Sequence, residues 1–112
     1  MSVDVQALLE AERAQTRAHL AALESAFAGV VAASRDTNAD DEHDPEGATI
    51  AFERSQLQAL TSRTRRHLEE IEAALGRVED RTYGTCAVCG RPIATARLEA
   101  RPTSVTCIDC AG

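Results

Sequence analysis

The chain has 112 residues, a formal net charge of −6 and 44% hydrophobic residues. Alanine supplies 21 of those hydrophobic positions, and Val, Leu, Ile, Met and Phe together supply only 23. So few bulky apolar side chains cannot surround a deep buried pocket, so an enzyme core is excluded in favour of one small domain or an elongated helical protein with a thin seam. All 12 basic residues are arginine, and the acidic excess argues against non-specific duplex DNA binding, which rests on neutralising phosphates. The acidic start Met1-Ser2-Val3-Asp4 lacks the basic flank of a secretory signal. No apolar run approaches the ~18 residues that would span a membrane. A reducing, cytoplasmic setting is expected.

In chain order, residues 3–35 read as a long helix, rich in alanine and free of proline. Leu9, Thr16, Leu23 and Val30 lie seven apart, and Leu20 and Phe27 occupy the second seam position, where Arg13 and Ser34 are the exceptions. Residues 36–47 carry Pro45, Gly47 and a run of carboxylates, and they read as a turn with an acidic tip. A second helix is expected from about 48 to 80. Its seam positions are Ile50, Leu57, Thr64, Ile71 and Val78, with Arg54, Thr61, Leu68 and Leu75 four residues after the first four. Neither seam is stable exposed. Two helices of matched length joined by a turn are expected to fold back antiparallel, at ~1.5 Å per residue a hairpin about 50 Å long. A dimeric coiled coil is the alternative arrangement, and the intervening turn favours the intramolecular hairpin and a monomer.

The last segment carries Cys86, Cys89, Cys107 and Cys110 in the pattern C-x2-C-x17-C-x2-C. Each C-x2-C pair forms a tight knuckle whose backbone N–H groups face the sulfurs. Two knuckles together make the tetrahedral four-thiolate cage preferred by Zn²⁺. Gly90, just after the second cysteine, suits a left-handed turn. One structural zinc is therefore expected, with no coordination position left for catalysis. The finger has few apolar side chains (Val88, Ile93, Leu98, Val105 and Ile108), so the metal would supply much of its folding free energy. Tyr83 is expected to pack on the knuckle. The stretch from Ile93 to Ala100 reads as a short helix or strand ended by Arg101-Pro102. Arg91, Arg97 and Arg101 form a small basic patch.

The expected architecture is all-α dominated: a long antiparallel helical hairpin over residues 1–80, then a four-cysteine zinc finger over 81–112. From Ile71 to Cys110, the stretches Ile71-Glu72-Ala73-Ala74-Leu75, Tyr83-Gly84-Thr85-Cys86, Arg97-Leu98-Glu99-Ala100-Arg101-Pro102-Thr103 and Cys107-Ile108-Asp109-Cys110 resemble the DksA/TraR family of bacterial transcription factors. The resemblance implies a non-enzymatic regulator that binds RNA polymerase without specific DNA contact, its hairpin entering the secondary channel and its acidic tip approaching the catalytic centre. It also implies partnership with guanosine tetraphosphate. At the tip the family carries D-P-x-D-x-A, and this chain reads Asp44-Pro45-Glu46-Gly47-Ala48. A gap-free count from Cys86 places Glu46 at the second Asp and Ala48 at the Ala, whereas aligning on Asp-Pro places Asp44 at the first Asp and Gly47 at the second; the gap-free count is preferred, and Asp44, Glu46 and Ala48 are the partner-binding candidates. For the alarmone, Arg97 and Arg101 are available, but Glu69 and Glu70 stand where related proteins place a basic residue, so strong binding by the isolated chain is not expected. The competing function is a zinc-dependent protein-interaction adaptor that acts in stress without polymerase.

Overall fold

The computed structural model describes residues 4–36 and 45–111, and the elements are three helices: α1 (Val5–Asp36), α2 (Pro45–Asp80) and α3 (Thr95–Ala100). Among the described residues there is no strand, only an isolated antiparallel bridge between Thr85 and Pro92. None of the helices is long and apolar enough to cross a membrane.

The helix ends follow local chemistry. Asp4 caps α1: its Oδ1 accepts from the N–H of Ala7 at 3.2 Å, and its carbonyl accepts the first helical bond from Leu8 at 3.1 Å. The second helix begins at Pro45, earlier than its apolar seam indicates. Proline suits the first position of a helix because its missing N–H would have no partner there. Residues 37–44, most of the expected turn, lie outside the described residues. At its far end α2 closes with a Schellman turn. Arg81 adopts φ 64°, its N–H donates to Val78 O at 3.2 Å, and the N–H of Thr82 donates to Arg77 O at 2.9 Å. The side chain of Arg77 adds a positive charge to the last turn, where the helix dipole is negative.

The chain divides into two compact units, Met1–Gln15 with His67–Gly112, and Thr16–Arg66. In the first, Leu9, Ile71 and Ala74 are fully buried together, and Val5, Leu75, Val78 and Tyr83 pack against them. Leu9, Ile71, Leu75 and Val78 are seam positions of the heptad pattern. Ala74 joins them because the 3.6-residue period places i+3 as well as i+4 on the core side of Ile71. At the edge of this core, His67 Nε2 lies 2.9 Å from Glu12 Oε1.

In the second unit the seam is thinner. Among the described residues, Leu23, Thr16 and Thr61 are buried, while Leu20, Phe27, Val30, Ile50, Leu57 and Thr64 are half-buried. Arg54 occupies a seam position yet is exposed, because its guanidinium lies over the Phe27 ring, 5.9 Å from the centroid. Arg65 Nη2 donates to Glu24 Oε2 at 2.7 Å, from α2 to α1. Both partners are about half exposed, so the pair contributes roughly 1 kcal/mol or less.

The threonines make this stretch weaker than an all-aliphatic seam. Thr64 returns its hydroxyl to Leu60 O at 2.8 Å, whereas buried Thr61 Oγ1 has no hydrogen-bond partner among the described residues. A buried hydroxyl without a partner costs about 1–3 kcal/mol. Thr61→Val keeps the shape and removes that hydroxyl. It is expected to stabilise the protein by about 1 kcal/mol and to raise the thermal midpoint by on the order of 5 °C, read by circular dichroism at 222 nm. A lower midpoint would mean that the hydroxyl is satisfied in solution.

Candidate metal centre

The two knuckles are built by short-range backbone bonds. Gly84 and Gly90 take φ 86° and 75°, the left-handed region open to glycine. At Gly84 a Cβ would also meet the Leu98 side chain at 3.5 Å. Around the first knuckle, Cys86 N–H donates to Arg91 O at 2.8 Å, Gly90 N–H to Cys86 O at 3.0 Å, and Ile93 N–H to Gly84 O at 2.7 Å. In the second, the N–H groups of Cys110 and Ala111 both donate to Cys107 O, at 3.1 and 2.9 Å. The two are tied together by Ala87 N–H donating to Val105 O at 2.8 Å. The helix α3 between them ends at Arg101, as the Arg-Pro pair indicates, and Arg97 Nε donates to Thr106 O at 2.9 Å.

This scaffold gathers all four cysteines. None forms a disulfide, and their sulfurs lie within 4.8 Å of one another, with Cys89 and Cys107 at 3.7 Å. Tetrahedral Zn²⁺ with bonds of about 2.3 Å requires sulfur separations of about 3.8 Å. The cluster fits that cage with a small contraction, and Cys86, Cys89, Cys107 and Cys110 would be the ligands of one structural zinc. The electrostatics suit a thiolate site. Backbone N–H groups, first that of Cys89, then those of Cys107 and Val88, bring the Cys86 thiol down to about 6. Cys110 is pushed up to about 12 by hydrogen bonding among the crowded sulfurs, that of Cys107 first, with burial adding to it. Four thiolates fill a tetrahedral zinc and make the site structural.

The apolar side chains of the finger are distributed unevenly. Ile93 is buried and Leu98 half-buried, but Val105, Val88 and Ile108 are exposed, the last two at 71%. Tyr83 packs on the end of the helical core. Its ring lies against the Leu9–Ile71–Ala74 cluster and its hydroxyl donates to Pro102 O at 2.7 Å. Burial raises its pKa, partly offset by the Arg77 guanidinium.

Of the basic patch, Arg97 and Arg101 line one cavity of about 360 Å³ beside α2, while exposed Arg91 is not among its lining residues. Arg77, missed in the sequence reading, completes that wall and reaches Thr103 O at 3.4 Å. Glu70 lines the same cavity. At the other end of α2, Ala48 is an exposed residue of the first turn. Asp44 lies outside the described residues, as does the side chain of Glu46.

A helical hairpin carrying a four-cysteine finger of this geometry defines a class of zinc-finger protein. Residues 81–112 match the prokaryotic dksA/traR C4-type zinc finger, the segment that carries the four cysteines. It is 44% identical over 69 residues to the uncharacterized protein YteA of Bacillus subtilis, a match covering 62% of this chain and 29% of that protein. It is 50% identical over 48 residues to the RNA polymerase-binding transcription factor DksA of Escherichia coli K12, covering 43% of this chain and 32% of the relative. The matched segments thus span about a third or less of these curated relatives. The structure of transcription factor DksA2 from Pseudomonas aeruginosa is similar with a TM-score of 0.79 and 25% identity, over 94% of this chain and 75% of the other.

Proposed function

We propose that this protein is a non-enzymatic regulator of transcription initiation that binds RNA polymerase as a cytoplasmic monomer. It presents the hairpin, residues 1–80, to the secondary channel and uses the zinc finger, residues 81–112, as its folded base. The observation that carries the reading is the likeness to DksA2 across 94% of the chain, helices and finger together. A match limited to the finger would speak only for a zinc module. Asp44 and Glu46 are the active carboxylates of the tip, with basic side chains or the catalytic Mg²⁺ of the polymerase as their targets, and Ala48 is the third tip residue. No specific DNA contact is needed, in keeping with the net charge of −6. Strong binding of guanosine tetraphosphate to the isolated chain is not expected. Glu70 shares the cavity of Arg97 and Arg101, and Arg97 is already engaged by Thr106 O.

The test is equilibrium binding of the labelled, zinc-loaded protein to the host's core polymerase, paired with initiation assays. Wild type should bind saturably and alter the lifetime of initiation complexes. The double variant Asp44→Ala/Glu46→Ala should bind but leave those lifetimes unchanged. No binding at micromolar concentration refutes the polymerase reading and leaves the adaptor function.

A further inference from the structure

Three backbone N–H groups reach the Cys86 sulfur, and their origins differ. Those of Val88 and Cys89 come from its own knuckle, where the C-x2-C turn aims them. The third, from Cys107, comes from the opposite knuckle. No turn of the first knuckle can aim that group, so its direction depends on how the Thr106–Cys107 peptide is held. A trans peptide is planar, with its carbonyl and its N–H on opposite sides, so fixing one fixes the other. The carbonyl of this unit, Thr106 O, accepts from Arg97 Nε at 2.9 Å.

Arg97 stands on α3, a helix with no buried residue, and is itself half-buried where Arg91 and Arg101 are exposed. A guanidinium donating to a carbonyl makes a charge-assisted bond. It polarises the peptide, and the N–H on the far side becomes the stronger donor. Four thiolates outweigh the charge of Zn²⁺, so the cage is anionic and gains from a cation one peptide away. We infer that Arg97 is a positioning residue of the metal centre, acting through the Thr106–Cys107 peptide to aim and strengthen its N–H···S bond to Cys86. Its charge thereby serves the zinc, which sets it apart from the other two arginines of the basic patch. Arg77 and Tyr83 reach carbonyls of the same segment, at Thr103 and Pro102, but these lie farther along the chain from Cys107.

The test uses the full chain and compares wild type with Arg97→Met and Arg97→Lys. Methionine keeps an unbranched stem and good helix propensity while removing the donor and the charge. Competition against a chromophoric chelator at fixed pH should find Arg97→Met about 10–100-fold weaker for zinc, the range of outer-shell partners. Arg97→Lys keeps a cationic donor and should fall between it and wild type. Co²⁺ in place of zinc reads the sulfur directly. With a weaker N–H···S bond, the thiolate-to-metal charge-transfer band should move to lower energy in Arg97→Met, and less in Arg97→Lys. The near-ultraviolet Tyr83 signal of the metal-saturated variants should match wild type, which establishes that the finger is folded. Wild-type zinc affinity in Arg97→Met overturns the assignment. Weaker affinity with an unmoved cobalt band also overturns it, since Arg97 would then only anchor α3. A lysine variant no tighter than the methionine one refutes the role of the charge, and the assignment with it.

Discussion

Chelation of the zinc, or Cys86→Ser, is expected to unfold residues 81–112 while much of the helical signal of α1 and α2 survives. The physical reason is how little else holds the finger. Ile93 is its one buried aliphatic side chain, Leu98 is half-buried, and Val88 and Ile108 are left in water. Apolar burial of that size supplies only a few kcal/mol, against about 1–2 kcal/mol of backbone entropy for each ordered residue. Structural zinc supplies about 10–16 kcal/mol in comparable small fingers. Loss of a ligand should therefore lower zinc affinity by more than the 10–100-fold typical of outer-shell partners. Tyr83 is the sole tyrosine and the chain has no tryptophan, so its near-ultraviolet signal reports directly on the Pro102 contact. That signal should disappear on chelation and return with added Zn²⁺. Retention of the tyrosine signal after complete metal removal would refute the dependence.

Zinc uptake should also be linked to pH, with a sign set by the thiols. At pH 7.5 Cys86, brought down to about 6, has already lost its proton, whereas Cys110, pushed up to about 12, surrenders one only to the metal. Calorimetry in buffers of different ionisation enthalpy should thus find fewer than four protons released per zinc at that pH. Affinity should fall more steeply below pH 6, where Cys86 must be deprotonated as well. Release of a full four protons at pH 7.5 would contradict the lowering at Cys86.

Much of this architecture is legible in the sequence because its signals are periodic or chemically unusual. The heptad spacing of Leu9, Leu23, Ile71 and Val78 marks the two seams, and four cysteines at fixed spacing mark the ligands. What escaped depends on smaller or longer-range effects. Ala74 is fully buried, yet in a chain so rich in alanine nothing separates it from its exposed counterparts. Arg54 holds an apolar register position because a guanidinium can lie over the Phe27 ring, a pairing that seam periodicity does not encode. Tyr83 lies close in sequence to the knuckle, and the left-handed turn at Arg81 brings it to the Leu9 cluster, a contact that no short-range pattern encodes. Arg77 reads in the sequence as one more charged residue of a helix. Its position in the last turn before the finger was the available signal, since a basic residue there meets both the helix dipole and whatever follows.

The largest effect expected from a single aliphatic truncation is at Ile71. Its side chain is completely buried, in contact with a cluster whose other fully buried members are only Leu9 and Ala74. Truncation to alanine removes three carbons from a core with few neighbours to refill the space, and such changes cost about 2–5 kcal/mol. Alanine is the better helix former, which returns a few tenths of a kcal/mol and places the expected loss near 3 kcal/mol. Leu57→Ala provides the comparison. Leu57 is a seam residue of the same helix but half-buried in the threonine-containing unit, so its loss should cost about half as much. Urea unfolding followed by circular dichroism at 222 nm and by Tyr83 fluorescence would measure both. For Ile71→Ala the tyrosine transition should move to lower urea at least as far as the helical one, because the Tyr83 ring packs on the same cluster. Equal losses for the two variants would mean that the seam is uniform and that the Leu9–Ile71–Ala74 cluster is no more than another layer of it. A markedly larger loss at Ile71 would locate the stability in the Leu9–Ile71–Ala74 cluster rather than evenly along the seam.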